Sequence, residues 1–297
     1  MRRLIRMLLR LALVLLLLIV AALAVLYFLT ERRIARTYQV TVPSFTVPQD
    51  EAAVTRGERL ARIVVPCWEC HGEDYGGKLA VNDVAMGRLA AANLTRGRGG
   101  IGTSYTDEDW ARIILHGVRR DGRSAIFMPS HELQITAADL GDMIAYIRSL
   151  PPVDREMPPI RVGPMARILS YAGFPLLPAE LIDHQSARFK TPPQDDSVLA
   201  QGRHLADTAC GSCHKPEYTG GSGPPPGSSN ITPAGIGGWS EADFVRALRE
   251  GVRPNGTAIS ESMPRVFGQL SDTELHAIYT YLQTVRPKGE KTERQLQ

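Results

Sequence analysis

All four cysteines of this 297-residue chain fall in two five-residue strings, Cys67-Trp68-Glu69-Cys70-His71 and Cys210-Gly211-Ser212-Cys213-His214. Each reads C-x-x-C-H, the pattern of covalent haem attachment. The spacing has a chemical reason. Two thiols three positions apart can each add to one vinyl group of a porphyrin, and the next residue sets an imidazole under the iron. A disulfide scaffold gives no reason for a His after each pair. A structural zinc site wants four nitrogen or sulfur ligands, and each string supplies three. The expected cofactors are therefore two covalently attached haem c groups, on Cys67, Cys70, His71 and on Cys210, Cys213, His214.

The repetition extends well beyond the cysteines. Gly57-Glu58-Arg59-Leu60-Ala61 matches Gly202-Arg203-His204-Leu205-Ala206, and Asn93-Leu94-Thr95 matches Asn230-Ile231-Thr232. Gly100-Ile101-Gly102, Asp109-Trp110 and Gly117-Val118-Arg119 recur as Gly235-Ile236-Gly237, Asp243-Phe244 and Gly251-Val252-Arg253. One unit is present twice. Each unit closes on an amphipathic helix with N-cap spacing at Thr136/Asp139 and Ser271/Glu274. Their apolar stripes are Leu140, Met143, Ile144, Ile147, Leu150 and Leu275, Ile278, Tyr279, Leu282, Val285. Segments ahead of each C-x-x-C-H, and around 107–115 and 241–248, also read as helices. Strand signals are few, so the expected fold is mainly α. Aromatic residues make up only 6 % of the chain, and a buried porphyrin would supply the flat apolar body that small units of this size lack.

A second strong ligand opposite the His makes an electron carrier, whereas an open site permits catalysis or gas binding. In the second unit Met263 is the sole Met after the motif, with His276 as a rival read as a surface residue. In the first unit Met86, Met128, Met143 and His131 are candidates. Met128 is preferred because it shares the Met-Pro context and repeat position of Met263, while Met143 aligns with the core residue Ile278. Proline disfavours helix at the preceding Met and holds it extended, as a loop across a haem face requires. The expected iron ligands are thus His71 with Met128 and His214 with Met263. His204, His116 and His184 are read as surface residues. Arg119 and Arg253, with Tyr105 and Trp239, occupy equivalent places; the two arginines either donate to haem propionates or lie on a solvated face.

The N-terminus differs from the rest. Arg2, Arg3, Arg6 and Arg10 precede an unbroken apolar run from Leu11 to Leu29. Nineteen helical residues span about 28 Å, enough for a bilayer core. A leader cut after Ala22-Leu23-Ala24 would leave Val25–Leu29 as an apolar stub, so residues 1–36 are read as an uncleaved anchor. The arginines ahead of the run set the N-terminus in the cytoplasm and the body outside it. Residues 1–36 hold seven Arg and one Glu, whereas the remainder holds 27 basic and 30 acidic side chains. The exported part is mildly acidic, which removes any case for nucleic-acid binding. The two units are assigned to residues 37–150 and 198–297. Between them, residues 151–197 carry nine prolines and read as an extended linker, with the apolar stretch 165–182 expected to pack within the molecule.

These motifs resemble class I cytochrome c, twice over, across about residues 51–152 and 198–288. The Asn-[Leu/Ile]-Thr, Gly-Ile-Gly and Asp-[Trp/Phe] stretches are similar to cytochrome c subunits of membrane-bound alcohol and gluconate dehydrogenases, which carry three haem motifs where this chain has two. The resemblance implies two class I cytochrome c-like domains in tandem, here after an N-terminal transmembrane helix that those subunits do not share, with His/Met ligation and single-electron transfer between periplasmic redox partners, from a dehydrogenase to the respiratory chain. The expected location is the inner membrane of a bacterium, single-pass. The anchor-plus-two-domain layout also resembles the dihaem subunit of cbb3-type terminal oxidases. A dihaem peroxidase would need one iron with an open site, which two matched Met-Pro strings oppose. No general acid/base pair, nucleophile or phosphate loop stands out, so no bond-making catalysis is expected of the chain itself.

Overall fold

A computed structural model describes residues 2–185, 189–221 and 227–288, so the last nine residues assigned to the second unit lie outside it. The apolar run forms one helix, α1 (Arg2–Ala35), long and apolar enough to cross a membrane. Its apolar side chains from Leu4 to Val25 project free of the rest of the protein.

The first unit begins with α2 (Glu51–Arg59), started by Asp50 accepting from the Ala53 N–H, and continues as a wider-turned segment, Leu60–Val64. The short α3 (Cys67–His71) carries the first C-x-x-C-H. Strands β1 (Lys78–Asp83) and β2 (Gly87–Ala91) follow, then α4 (Asp107–His116) and α5 (Ala137–Ser149). Strand β3 (Arg161–Val162) and helix α6 (Pro164–Tyr171) belong to the connecting segment. The second unit repeats the first unit's helices and adds a short one, α9: α7 (Val198–Leu205) with a wider-turned continuation Ala206–Cys210, α8 (Gly211–His214), α9 (Pro233–Ile236), α10 (Glu241–Glu250) and α11 (Asp272–Thr284). The architecture is mainly α, as expected.

Reciprocal caps start the equivalent helices. Thr106/Asp109, Thr136/Asp139, Ser240/Asp243 and Ser271/Glu274 each close a capping box, so an aspartate reaches back as well as a glutamate does. The closing-helix stripes form the core, with Leu140, Met143 and Ile144, and Leu275, Ile278 and Leu282, at most 1 % exposed, while Tyr279 and Val285 are only partly buried. In each unit the leading helix crosses the closing helix at a glycine. A Cβ on Gly57 would stand 1.9 Å from the Asp142 carbonyl oxygen and 2.9 Å from the Tyr146 Cβ. On Gly202 it would stand 2.0 Å from the Ala277 oxygen and 2.9 Å from the Tyr281 Cβ. The duplication therefore preserves a close helix crossing, and helix propensity is sacrificed to it.

The structure adds a small sheet to this mainly helical plan, and one reading of the histidines needs correction. Strands β1, β2 and β3 form an antiparallel sheet, with Lys78 opposite Ala91 and Gly87 opposite Val162. Most of the first strand is exposed and lacks apolar alternation, which hid it; its stability comes from pairing, partly to the connecting segment. The apolar stretch 165–182 of that segment packs within the molecule in part, as expected. Its second half packs inward through Leu176, Leu177, Ala179 and Ile182, while Met165 and Ile168 on α6 remain exposed. Finally, His116, His184 and His204 are not surface residues. His116 is fully buried at the end of α4, its Nδ1 3.1 Å from His184 Nδ1, because the connecting segment folds back over it. Tyr38 packs edge-on against the His184 ring.

His204 is partly covered because the two units dock on each other. His204 Nε2 lies 3.4 Å from the Asp139 carboxylate, and Arg59 pairs with Glu274. Arg59 and His204 are equivalent in the repeat, and so are Asp139 and Glu274. Each unit thus sends the same leading-helix position to the same closing-helix position of the other, the exchange that defines a two-fold interface. Thr208 Oγ1 donates across it to the Gln134 carbonyl at 2.8 Å. The apolar cores of the two units run together into one cluster.

Two outcomes follow from this packing. Gly57→Ala, which propensity alone would favour by ~1 kcal/mol, is expected to lower stability by about 1–3 kcal/mol through overpacking, read as a lower denaturation midpoint. The second concerns acid. Burial by itself raises the carboxyls of Asp139 and Glu274, yet hydrogen bonds from their caps and from His204 and Arg59 hold both below their ordinary values of 3.8 and 4.5. Their stabilisation is present above those ordinary values and is lost as the pH falls through the lower folded ones. The denaturation midpoint should drop on acidification below about pH 4, with a shallower drop for Glu274→Gln.

Candidate haem sites

The geometry of each C-x-x-C-H begins with the backbone. Helix α3 turns its last residue, His71, so that Nδ1 donates to the Ala92 carbonyl at 2.8 Å. In the second unit His214 Nδ1 donates to the Ser229 carbonyl at 2.6 Å. This bond fixes the tautomer and leaves Nε2 with its lone pair, the form a metal ligand requires. Burial lowers the pKa of both imidazoles, with the carbonyl bond opposing it, so both rings are neutral near pH 7. Burial also pushes the Cys67 and Cys210 thiols up to about 12, and their partner cysteines add to the shift. A free thiolate is disfavoured at these positions. Trp68, inside the first motif, donates from Nε1 to the Arg62 carbonyl at 2.9 Å and ties α3 to the segment before it.

The carbonyls that hold the two imidazoles each immediately precede an Asn-x-Thr. Asn93 Oδ1 accepts from the Thr95 N–H at 2.9 Å and the Thr95 hydroxyl at 2.8 Å, while its Nδ2 donates to the Val153 carbonyl at 2.7 Å. Asn230 accepts from Thr232 N–H and Oγ1 at 2.9 and 2.7 Å and donates to the Lys288 carbonyl at 2.7 Å. The Leu94 N–H donates to Tyr75, and the Ile231 N–H to Tyr218. The Asn-x-Thr string thus knots the loop after the His to the chain leaving the closing helix, and so positions Ala92 and Ser229.

Sequence reading missed these carbonyls, since backbone atoms carry no side-chain signal. It also missed Tyr75 and Tyr218, each four residues past its His. Both are buried, with φ of +55° and +60°. Tyr75 donates to the Ala61 carbonyl and packs edge-on against Tyr146; Tyr218 donates to Asp207 and packs the same way against Tyr281.

Met128 and Met263 both lie in loops, half-buried against the core cluster that also receives Cys67 and Cys210. Met143 is core, as read, and Met86 lies at the turn of the β1–β2 hairpin, outside that cluster. The loop at Met128 is constrained from the connecting segment: the Phe127 N–H donates to the Leu176 carbonyl at 2.9 Å, and its ring stacks on Phe174 at 5.2 Å. His276 is a surface residue beside Glu241, as expected. Arg119 and Arg253 serve their own turns, Arg119 reaching Asp121 at 2.8 Å and Arg253 the Ala258 carbonyl. Tyr105 and Trp239 pack against the core.

Two small helical units, each presenting paired thiols, a carbonyl-anchored neutral imidazole and a loop methionine against the core, define the class. Residues 54–151 and 199–286 match the cytochrome c family, together more than half of the chain, and the chain belongs to that family. Its prosthetic group is accordingly haem c, and the donor set of each unit suits it. The chain is 28 % identical over 265 residues to the fructose dehydrogenase cytochrome subunit of Gluconobacter japonicus, covering 80 % of this chain and 54 % of that subunit. It is 29 % identical to the gluconate 2-dehydrogenase cytochrome c subunit of Pantoea cypripedii, covering 80 % of this chain and 61 % of that one. With a dihaem c-type cytochrome of Cereibacter sphaeroides it shares 27 % identity over 78 % of this chain and 85 % of the relative. The chain spans little more than half the length of the dehydrogenase subunits it resembles.

Replacing Asn93 by Ala removes one donor and one acceptor from a buried knot, at a cost of about 1–3 kcal/mol. We expect a lower denaturation midpoint together with faster exchange of the His71 Nδ1 proton by NMR, because the Ala92 carbonyl loses its support.

Proposed function

We propose that this chain is a membrane-anchored dihaem cytochrome c that passes single electrons between periplasmic redox partners, from a dehydrogenase to the respiratory chain. The observation that carries the reading is the duplicated site: each unit offers two cysteines, a neutral imidazole with Nε2 available, and a half-buried loop methionine. Cys67 with Cys70, and Cys210 with Cys213, would form the thioether links. His71 with Met128, and His214 with Met263, would hold the irons from either side. Bound haem supplies a ferric/ferrous couple, and a neutral His paired with Met raises its potential. The protein's own part is to hold imidazole and thioether still, exclude water through the shared apolar core, and keep the two units docked.

Helix α1 supports single-pass anchoring in the cytoplasmic membrane of a bacterium, with the N-terminal arginines in the cytoplasm and both units, residues 37–150 and 198–297, in the periplasm. The names of the relatives support a dehydrogenase as electron donor. A methionine in both loops disfavours a peroxidase, which needs an open iron.

The oxidised protein is expected to have a sulfur-to-iron charge-transfer absorption. Met128→Ala and Met263→Ala should each remove about half of it and open the reduced form to carbon monoxide, and the double variant should remove it all. An unchanged band, or carbon monoxide binding by the unsubstituted protein, refutes the ligand assignment. Copurification from gently solubilised membranes tests the partner: dehydrogenase subunits support this reading, and oxidase subunits favour the cbb3-type alternative.

A further inference from the structure

Helix α6 is amphipathic the wrong way round for a surface helix in water. Its inward face holds Ala166, Arg167 and Ser170, with Arg167 only 6 % exposed. Its outward face holds Met165, Ile168 and Tyr171, which are 44 %, 43 % and 50 % exposed. Leu181, at the end of the turn Pro178–Leu181, is 57 % exposed. A helix bordering water ordinarily shows the opposite polarity.

The location of this face says what covers it. Arg167 pairs with Glu31 of α1 at 2.5 Å, donates to the Tyr27 carbonyl at 3.3 Å, and lies 4.2 Å above the Tyr27 ring. Arg33 of α1 donates to Ser170 at 3.1 Å, pairs with Glu180 at 2.6 Å, and lies over the Tyr171 ring. These contacts bolt α6 and the following turn to residues 27–33, where the apolar run of α1 ends. At the other end of α6, the Met165 N–H donates to the Ala85 carbonyl at 2.9 Å, beside the exposed Val84 at the tip of the β1–β2 hairpin. Arg32 and Arg36 border an open recess of about 540 Å³ between α1, Tyr171 and Glu180. Apolar side chains and a tyrosine at the level where a span leaves the bilayer, flanked by arginines, match the requirements of an interfacial helix.

We propose that α6 and the turn ending at Leu181 form a collar seated in the outer leaflet, with Met165, Ile168, Tyr171 and Leu181 in the boundary between headgroups and acyl chains and Arg32 and Arg36 facing anionic phospholipid. The collar rests on the reading of α1 as the anchor. It fixes how the two haem-bearing units stand over the membrane, since α6 is tied to β2 through β3 and the segment after it reaches the Met128 loop through Leu176 and Phe174. It also accounts for arginines beyond the apolar run: Arg33 is neutralised by Glu180, and the others meet lipid phosphate.

The test is depth measurement on the full-length holoprotein in nanodiscs of phosphatidylcholine and phosphatidylglycerol. Nitroxide labels are attached to single cysteines from Ile168→Cys, Leu181→Cys, Leu15→Cys within α1, and Glu261→Cys on an exposed turn of the second unit. The unsubstituted holoprotein is labelled in parallel as the background. Relative access of oxygen and of a water-soluble nickel chelate reports depth. Ile168 and Leu181 are expected to be oxygen-favoured, between Leu15 and Glu261. Nickel access at both, equal to that at Glu261, with Leu15 still lipid-buried, overturns the collar and assigns the face to a protein partner. Nickel access at Leu15 overturns the anchor itself, and the collar with it. All four sites are exposed, so the substitutions leave the packed core intact.

Discussion

The bond from His Nδ1 to a backbone carbonyl is the interaction on which both units are built. It costs the imidazole one of its two polar atoms and returns a defined tautomer, a fixed ring plane and a free Nε2. The carbonyl must be rigid for this to work, and the Asn-x-Thr knot makes it so. Asn93 and Asn230 each accept from two groups in their own loop and donate to the chain leaving the closing helix, Asn93 to the Val153 and Arg155 carbonyls and Asn230 to that of Lys288. Loop, imidazole and closing helix therefore form one mechanical unit. The buried tyrosine four residues past each His is tied to the leading segment and packs edge-on against a tyrosine of the closing helix.

Duplication then becomes more than two copies side by side. Because Arg59 meets Glu274 while its counterpart His204 meets Asp139, the units face each other through equivalent surfaces. The leading segment of each also reaches the other's surface just beyond the methionine loop, as Thr208 does at Gln134. The shared apolar cluster receives Cys67 and Met128 of one unit and Cys210 and Met263 of the other, while Cys70 stays exposed. The exchange of Arg for His in one half makes the two contacts chemically unequal, a guanidinium meeting Glu274 on one side and an imidazole meeting Asp139 on the other.

Much of this was legible in the chain. Capping boxes, closing-helix stripes and the helices around 107–115 and 241–248 follow from short-range rules about orphan N–H groups and helical periodicity. Met143 was assignable to the core because its repeat partner is an isoleucine. What failed shares a cause. His116, His184 and His204 look like isolated polar residues until a segment distant in sequence covers them. The β1–β2 hairpin, lacking alternation, is held by pairing that includes a strand some seventy residues away. Ala92 and Ser229 act through carbonyls, to which residue identity is blind.

The sequence alone determined the chemistry: two C-x-x-C-H strings, two Met-Pro strings, the unit repeated between them, and one apolar run long enough for a membrane. Those are local facts, since spacing along a helix or loop sets which groups can reach one iron or one bilayer. Only the tertiary structure decided what faces what. It showed that the repeats dock through swapped equivalents, that the proline-rich connection packs back on the first unit, and that α6 turns its arginine inward and its methionine and isoleucine outward. Polarity on a helix wheel gives two faces; which one meets protein depends on contacts the chain makes only after folding.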